Sequence, residues 1–310
     1  MGNYLLLRTS NALIVVFGVV SLVFFLIHFI PGDPVEVMLG ESAQVADREE
    51  LREALGLNKP ILDQWVNYLL QVAQLDFGTS LHSKQPIMDI LIERLPATLE
   101  LSFVALLFAL LIALPLGIVA AVRKGSVWDN SAMTLSLLGV SVPNFLMGPL
   151  LILAFSMYLG WFPVSGREGP ESVVLPALTL GTAMAAILSR MVRATLLEII
   201  NEDYIRTARA KGLSRLRVIV FHALPNTMLP VITLLGMQLG ALLAGAVITE
   251  IVFSWPGIGQ LTIEAINTRD YPLVQSCILF ISISYVLVNA GTDVLYSVLD
   301  PRVRLQNEIA

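Results

Sequence analysis

The sequence predicts an all-α polytopic membrane protein with six transmembrane helices and both termini in the cytoplasm. Three observations predict it. Of 310 residues, 56% are hydrophobic and only 14% charged, where soluble domains carry about 25% charged residues. Apolar segments able to cross a hydrocarbon core of about 30 Å recur six times. The cations are also lopsided, the pattern that sets orientation in short loops. Arg8, Arg123, Lys124, Arg190, Arg193, Arg206, Arg209, Lys211, Arg215, Arg217, Arg302 and Arg304 flank one side, and only Arg167 and Arg269 lie in the short loops of the other.

The first span is Ala12 to Ile30, nineteen apolar residues. A cleaved signal peptide is the rival reading, but its apolar region is about 7–15 residues and ends in a small-x-small site. His28-Phe29-Ile30-Pro31-Gly32-Asp33-Pro34 offers none, so the span reads as uncleaved. Residues 31–98 form an external insertion with eleven acids against five Lys and Arg. Within it, Arg48 to Leu55 is helical in pattern and stops at Gly56. A second helix follows Pro60, with Leu62, Trp65, Val66, Leu69, Leu70 and Val72 on its apolar side. Asp76 to Ser80 is turn-like, and Pro86 to Leu95 is a further short helix. The insertion is either a structural cap or a docking surface for a soluble partner.

Leu99 to Val122 is the second span, loosened at Pro115-Leu116-Gly117. Arg123 to Asp129 is a hinge. Ala132 to Leu159 is longer than a straight span and is interrupted by Gly139, Pro143 and Pro149. Trp161 suits an interfacial anchor. Val173 to Val192 is the fourth span and Met228 to Phe253 the fifth. Gly236 and Gly240, four residues apart, let helix backbones meet, and packing within this chain is the expected use. Val274 to Leu299 is the sixth span, with Asn289 and Asp293 toward its end. The chain thus divides into residues 1–98, the first helix plus insertion, and residues 99–305, a five-helix core interrupted by a polar loop at 198–228.

That loop is a polar island, helix then break then helix. Asn201 is the expected N-cap, with Glu202 and Asp203 favouring the positive end of the helix dipole. Tyr204, Ala208 and Gly212 recur every four residues and are expected on one face. Gly212 suits a left-handed stop, Ser214 the next N-cap, and Pro225 either ends that helix or starts the following one. Arg206, Arg209, Lys211, Arg215 and Arg217 surround this face. Read from pattern alone, the island is an amphipathic helix resting on acidic headgroups or a docking element.

Chemistry of its own is not expected of this chain. None of the four lysines, each preceded by Asn58, Ser83, Arg123 or Ala210, belongs to a phosphate-binding loop. His28, His82 and His222 are scattered, with no His-Glu-x-x-His and no Gly-x-Ser-x-Gly elbow. No metal site is expected. Cys277 stands alone in an apolar run and reads as a buried thiol. Ionisable and polar groups at membrane depth are candidates for a solute path: Asn144, Gln238 and Glu250. Each has an equal structural reading, and Glu250 and Asp293 lie near enough to an interface for water or an Arg to satisfy them. The irregular Trp255-Pro256-Gly257 stretch is tolerated at such depth when buried in protein or lining a cavity.

Aligned on Gly212, the island resembles the ATPase-coupling loop of ABC importer permeases, whose pattern is Glu-Ala-Ala, three residues, Gly, nine residues, Ile-x-Leu-Pro. Arg206, Thr207 and Ala208 stand at its start and His222, Ala223, Leu224 and Pro225 at its end. Arg206, Thr207 and His222 depart from it, and Tyr204 to Gly212 is instead similar to the peptide/nickel branch. Pro31 to Pro34, Leu55-Gly56-Leu57, Asp76-Phe77-Gly78, Ser254 to Gly259, Arg269 to Pro272 and Asp300 to Arg304 also resemble that branch. The resemblance implies an ABC type I importer permease fold. It implies a second homologous permease chain, two cytoplasmic ATPases holding ATP and magnesium, an external solute-binding protein, and alternating access. Tyr204, Arg206, Ala208, Arg209, Lys211, Gly212, Leu224 and Pro225 would then couple to the ATPase. Dipeptides, oligopeptides, glutathione, nickel chelates and opines are all open as substrates. An ion-driven secondary transporter should show inverted repeats and acids buried at mid-membrane, and a non-transporting scaffold should move no solute.

Overall fold

The computed structural model describes residues 2–29, 35, 39, 45–54 and 57–299. The Pro31 to Pro34, Leu55-Gly56 and Asp300 to Arg304 stretches lie outside them. The described residues are helical, without a strand. The elements are α1 (Gly2–Phe29), α2 (Val45–Ala54), α3 (Ile61–Ala73), α4 (Ile87–Val122), α5 (Val127–Ser141), α6 (Asn144–Leu151), α7 (Val174–Ile199), α8 (Asp203–Ala210) and α9 (Arg215–Val218). They continue with α10 (Leu224–Gly245), α11 (Val247–Val252), α12 (Ile258–Asn267) and α13 (Tyr271–Leu299). Four helical segments are long and apolar enough to cross a membrane: Ile87–Val122, Pro170–Ile199, Arg215–Gly240 and Tyr271–Thr292. A bent pair makes a fifth candidate, and Thr9–Phe25 of α1 is a shorter apolar helix.

The core is the pairing of α4 with α7. Ala97, Leu101, Ala105, Ala109, Ala113 and Gly117 recur every fourth residue and so line one face of α4. Small side chains let the backbones approach, which in a membrane substitutes for a hydrophobic driving force. At Gly181 a Cβ would sit 2.9 Å from the Ala105 carbonyl, and at Gly117 it would sit 2.7 Å from the Ser189 carbonyl and Val192. The expected loosening at Pro115-Leu116-Gly117 is therefore a close contact inside an unbroken helix. That helix also absorbs the expected short helix at 86–95 and runs through residue 98.

The third hydrophobic region breaks once, by 103° between Val127–Ser141 and Asn144–Tyr158. Pro143 causes it. Its ring disfavours the helical region for Val142, which sits at φ −89° and ψ 115°. Gly139 instead admits α7, whose Thr182 carbonyl would be 3.2 Å from its Cβ. An ion pair between half-buried Arg193 and buried Asp129 fastens α5 to α7: both Asp129 oxygens accept from Arg193, at 2.6 and 2.8 Å. Gly236 and Gly240 face α13, where a Cβ on the first would overlap Thr292 and one on the second would sit 3.0 Å from Tyr285. The Gly-x-x-x-Gly pair packs within the chain.

At the other end, Ile87, Leu91, Ile258, Leu261, Ala265, Leu273 and Cys277 form a buried cluster uniting α4, α12 and α13. Asp270 caps α13 through Leu273 N–H and accepts from the Ser80 hydroxyl at 2.6 Å. The insertion is thus pinned to the start of the last helix.

Candidate functional site

The polar island folds back onto the ends of three long helices. Ile205 and Ala208 of α8 are buried with Ala121 of α4, Leu196 of α7, Val218 of α9 and Ala223. They are three apart and so share a face. Asn201 is not the N-cap, because its amide turns back to donate to the Leu197 carbonyl at 2.8 Å, and Glu202 takes that position. Gly212 has φ +81°, which only glycine adopts without penalty, and it ends the helix as expected. Ser214 accepts from Arg217 N–H and caps α9. Pro225 lies in the first turn of α10, directly after the π-helical turn Ile219–Ala223, so it starts the following element and does not end the preceding one.

Tyr204, Ala208 and Gly212 do not share an outward face. Ala208 points into the chain, Tyr204 is half-exposed, and Gly212 lies beyond the helix with open space around it. The Tyr204 hydroxyl accepts from the Asn226 amide at 2.9 Å, linking α8 to the first turn of α10. Arg206, Arg209 and Lys211 are exposed, Leu224 is half-buried and Pro225 exposed. Arg206 pairs with Asp203 at 3.3 Å, an exposed pair worth little. Arg215 donates to the Val122 carbonyl at 2.7 Å and so caps α4. The exposed strip from Tyr204 to Gly212 is a cationic surface fixed to α4 and α7 by Ile205 and Ala208 and to α10 by Tyr204.

The candidate path residues do not gather into one lining. Glu250, Trp255 and Gly257 are buried together at the insertion end, with Pro256 between them half-buried. Asn144 opens α6 and Gln238 lies within α10, both half-buried and outside that cluster. From sequence Glu250 is either a path residue or a group that water or an Arg satisfies at an interface. It is fully buried instead, and its carboxylate accepts from the Thr98 hydroxyl and from Gln260 N–H, each at 2.9 Å. Thr98 in turn accepts from Ile258 N–H at 2.9 Å. The carboxylate therefore sits at the N-terminus of α12, where unpaired N–H groups and the helix dipole favour an anion.

Gly257 and Gly259 make this possible. A Cβ on Gly257 would overlap the carboxylate, and one on Gly259 would lie 2.8 Å from it. Trp255 closes the knot by donating from Nε1 to the Ala97 carbonyl at 2.8 Å, while Arg167 lies over its ring at 5.7 Å and pairs with Glu100. The Trp-Pro-Gly-x-Gly stretch is a cradle for Glu250. Thr98 has no signal in the sequence, while Gly259, Ile205 and Asp270 stand there only as members of the branch-like motifs, without a structural role. The short spacing Glu250–Gly257–Gly259 is the one signal that could have suggested the cradle.

Residues 113–305 match the family described as binding-protein-dependent transport system inner membrane component, and residues 1–102 match its N-terminal membrane component. The chain belongs to this family. Its similarity to individual permeases runs nearly end to end. It is 44% identical to the di/tripeptide transport system permease DppB of Pseudomonas aeruginosa (strain UCBPP-PA14), covering 94% of this chain and 95% of that one. It is 40% identical to the dipeptide permease DppB of Escherichia coli K12, with 98% and 99% covered. The glutathione permease GsiC of the same strain is also 40% identical, with 98% and 99% covered. Among solved structures, a chain of the inward-facing MetNI methionine ABC transporter superposes with a TM-score of 0.59 at 19% identity. That match covers 69% of this chain and 98% of that one, a likeness of fold. This permease family thus accounts for the helical membrane core.

Proposed function

We propose that this chain is the membrane-spanning permease subunit of an ATP-driven importer of di- or oligopeptides, with six transmembrane helices and cytoplasmic termini. In this reading α1 and the bent 127–158 pair complete the six. A second, homologous permease chain forms the other half of the path, and an external binding protein delivers the solute. Two cytoplasmic ATPases bind ATP and magnesium. Their closure pushes on the strip Tyr204, Arg206, Arg209, Lys211 and Gly212, and α4, α7 and α10 reorient in alternating access. Ala208 contributes from inside, holding α8 to those helices. The observation that carries the reading is this exposed cationic helix, packed through its buried face against α4 and α7 and hydrogen-bonded through Tyr204 to α10.

The test is to tag the chain, extract it in mild detergent and identify what co-purifies. A second permease and Walker-motif ATPases are expected; a chain recovered alone across several mild detergents overturns the reading. Similarity to a glutathione permease supports that tripeptide as the second substrate reading. Uptake of labelled dipeptide against labelled glutathione, by the assembly with its binding protein in proteoliposomes, separates the two.

A further inference from the structure

Helix α3 belongs to the insertion, yet it has no fully buried residue and two apolar sides. One side rests on the long helices. Trp65 meets Phe17 edge-on with ring centroids 5.8 Å apart and donates from Nε1 to the Ser21 hydroxyl at 3.2 Å. Tyr68 packs on Phe24 at 5.6 Å. Tyr68, Leu69 and Val72 join Val20 and Val23 of α1 and Leu279 of α13 in one cluster. Among the described residues the second side is unpartnered: Leu62, Val66 and Leu70, spaced by four, are 66%, 47% and 55% exposed. Asp63, Asn67, Gln71 and Gln74 form the remaining, polar strip.

Depth decides what covers the exposed stripe. The α1 residues under α3 lie in a stretch, residues 9–32, that carries no charged side chain. Leu279 lies two turns inside α13, about 12 Å from its first residue. Phe17, which touches Trp65, is itself 51% exposed, so the apolar outer surface of α1 runs directly onto α3. Thirteen residues make a helix about 20 Å long, too short to span. A short helix with a wide apolar arc, a narrow polar strip, and Trp and Tyr among its apolar residues suits a bilayer interface.

We propose that α3 is a lipid-embedded interfacial helix, with Leu62, Val66 and Leu70 in the acyl chains of the leaflet on the insertion's side. The polar strip faces headgroups and water. The insertion therefore contributes a membrane anchor that steadies α1 against α13, and this part of it is not a docking face for a soluble partner. The inference needs only that the chain spans a membrane, and it stands or falls apart from the choice of solute.

The experiment places single nitroxide labels at Leu62→Cys, Val66→Cys, Leu70→Cys, Asn67→Cys and Gln74→Cys in the assembled transporter. The assembly is held in nanodiscs of phosphatidylethanolamine and phosphatidylglycerol. Cys277 is buried, and the unsubstituted assembly serves as the labelling blank. All five sites are exposed, so the substitutions leave the packed side intact. The oxygen-to-nickel-chelate collision ratio is expected to be several-fold higher at 62, 66 and 70 than at 67 and 74. Three results overturn the proposal. Equal ratios at all five sites place the stripe in water. Low collisions with both reagents place a protein surface over it. Shielding that arises only when the solute-binding protein is added makes it a docking face.

Discussion

A carboxylate buried in the apolar part of a membrane protein is costly unless its lone pairs are filled, and Glu250 fills them from two directions. Thr98 reaches it from α4 and Gln260 N–H from the start of α12. Glu250→Gln keeps an acceptor for Thr98 but sets its NH2 against the Gln260 N–H, and should destabilise less than the Ala variant. Glu250→Ala strands two buried donors and should cost about 2–4 kcal/mol. Gly257→Ala should destabilise as well, because its methyl group takes the place of the carboxylate. Thermal unfolding in detergent, followed by tryptophan fluorescence, to which buried Trp255 contributes, measures all three. A Gly257→Ala protein as stable as the parent would show that the carboxylate has other room to move.

Between helices, the same logic operates through close approach. Gly236 lets α10 meet α13 at Thr292, and even a methyl group overlaps that side chain. Gly236→Ala should therefore lower the melting temperature, and adding Thr292→Ala should restore part of it, since the second change removes what the first collides with. A purely additive pair of losses would mean the helices do not touch there. Arg193→Met should cost about 2 kcal/mol or more, because it leaves Asp129 buried opposite α7 without its guanidinium. The apolar runs, the stop at Gly212 and the Gly236–Gly240 contact were legible in the sequence because each rests on local geometry. The break at Pro143 was legible for the same reason, although Gly139 and Pro149 gave equal local warning and break nothing. What stayed hidden depends on distance along the chain. Thr98 and Glu250 are 152 residues apart, so no local pattern foretells that they share a proton. The inward turn of Ala208 was hidden too, since spacing places residues on a common face without saying which face the protein covers.

For the molecule as a whole, the proposed push on the island has to reach the far end of the bilayer. Ile205 and Ala208 lock α8 against α4, α7 and the start of α10. At the opposite end Glu250 locks α4 to α11 and α12. Helix α4 spans both knots; its 36 residues make it about 54 Å long. A rigid strut between two knots would pass motion of the island directly to the Trp255 cradle. Gly212 lies outside both knots, exposed, with no atom within 4 Å of where a Cβ would go. Gly212→Asp should thus insert and assemble normally while placing an anion on a cationic strip, and uptake should fall relative to ATP hydrolysis. Gly212→Asn shares the left-handed backbone requirement, which Asn tolerates at about 1 kcal/mol or less, without the charge. It should retain more uptake per ATP than the Asp variant. Uptake and hydrolysis measured together in proteoliposomes decide it. Normal uptake by Gly212→Asp would remove the island from the coupling path, and equal losses in both variants would assign the effect to backbone strain instead of charge.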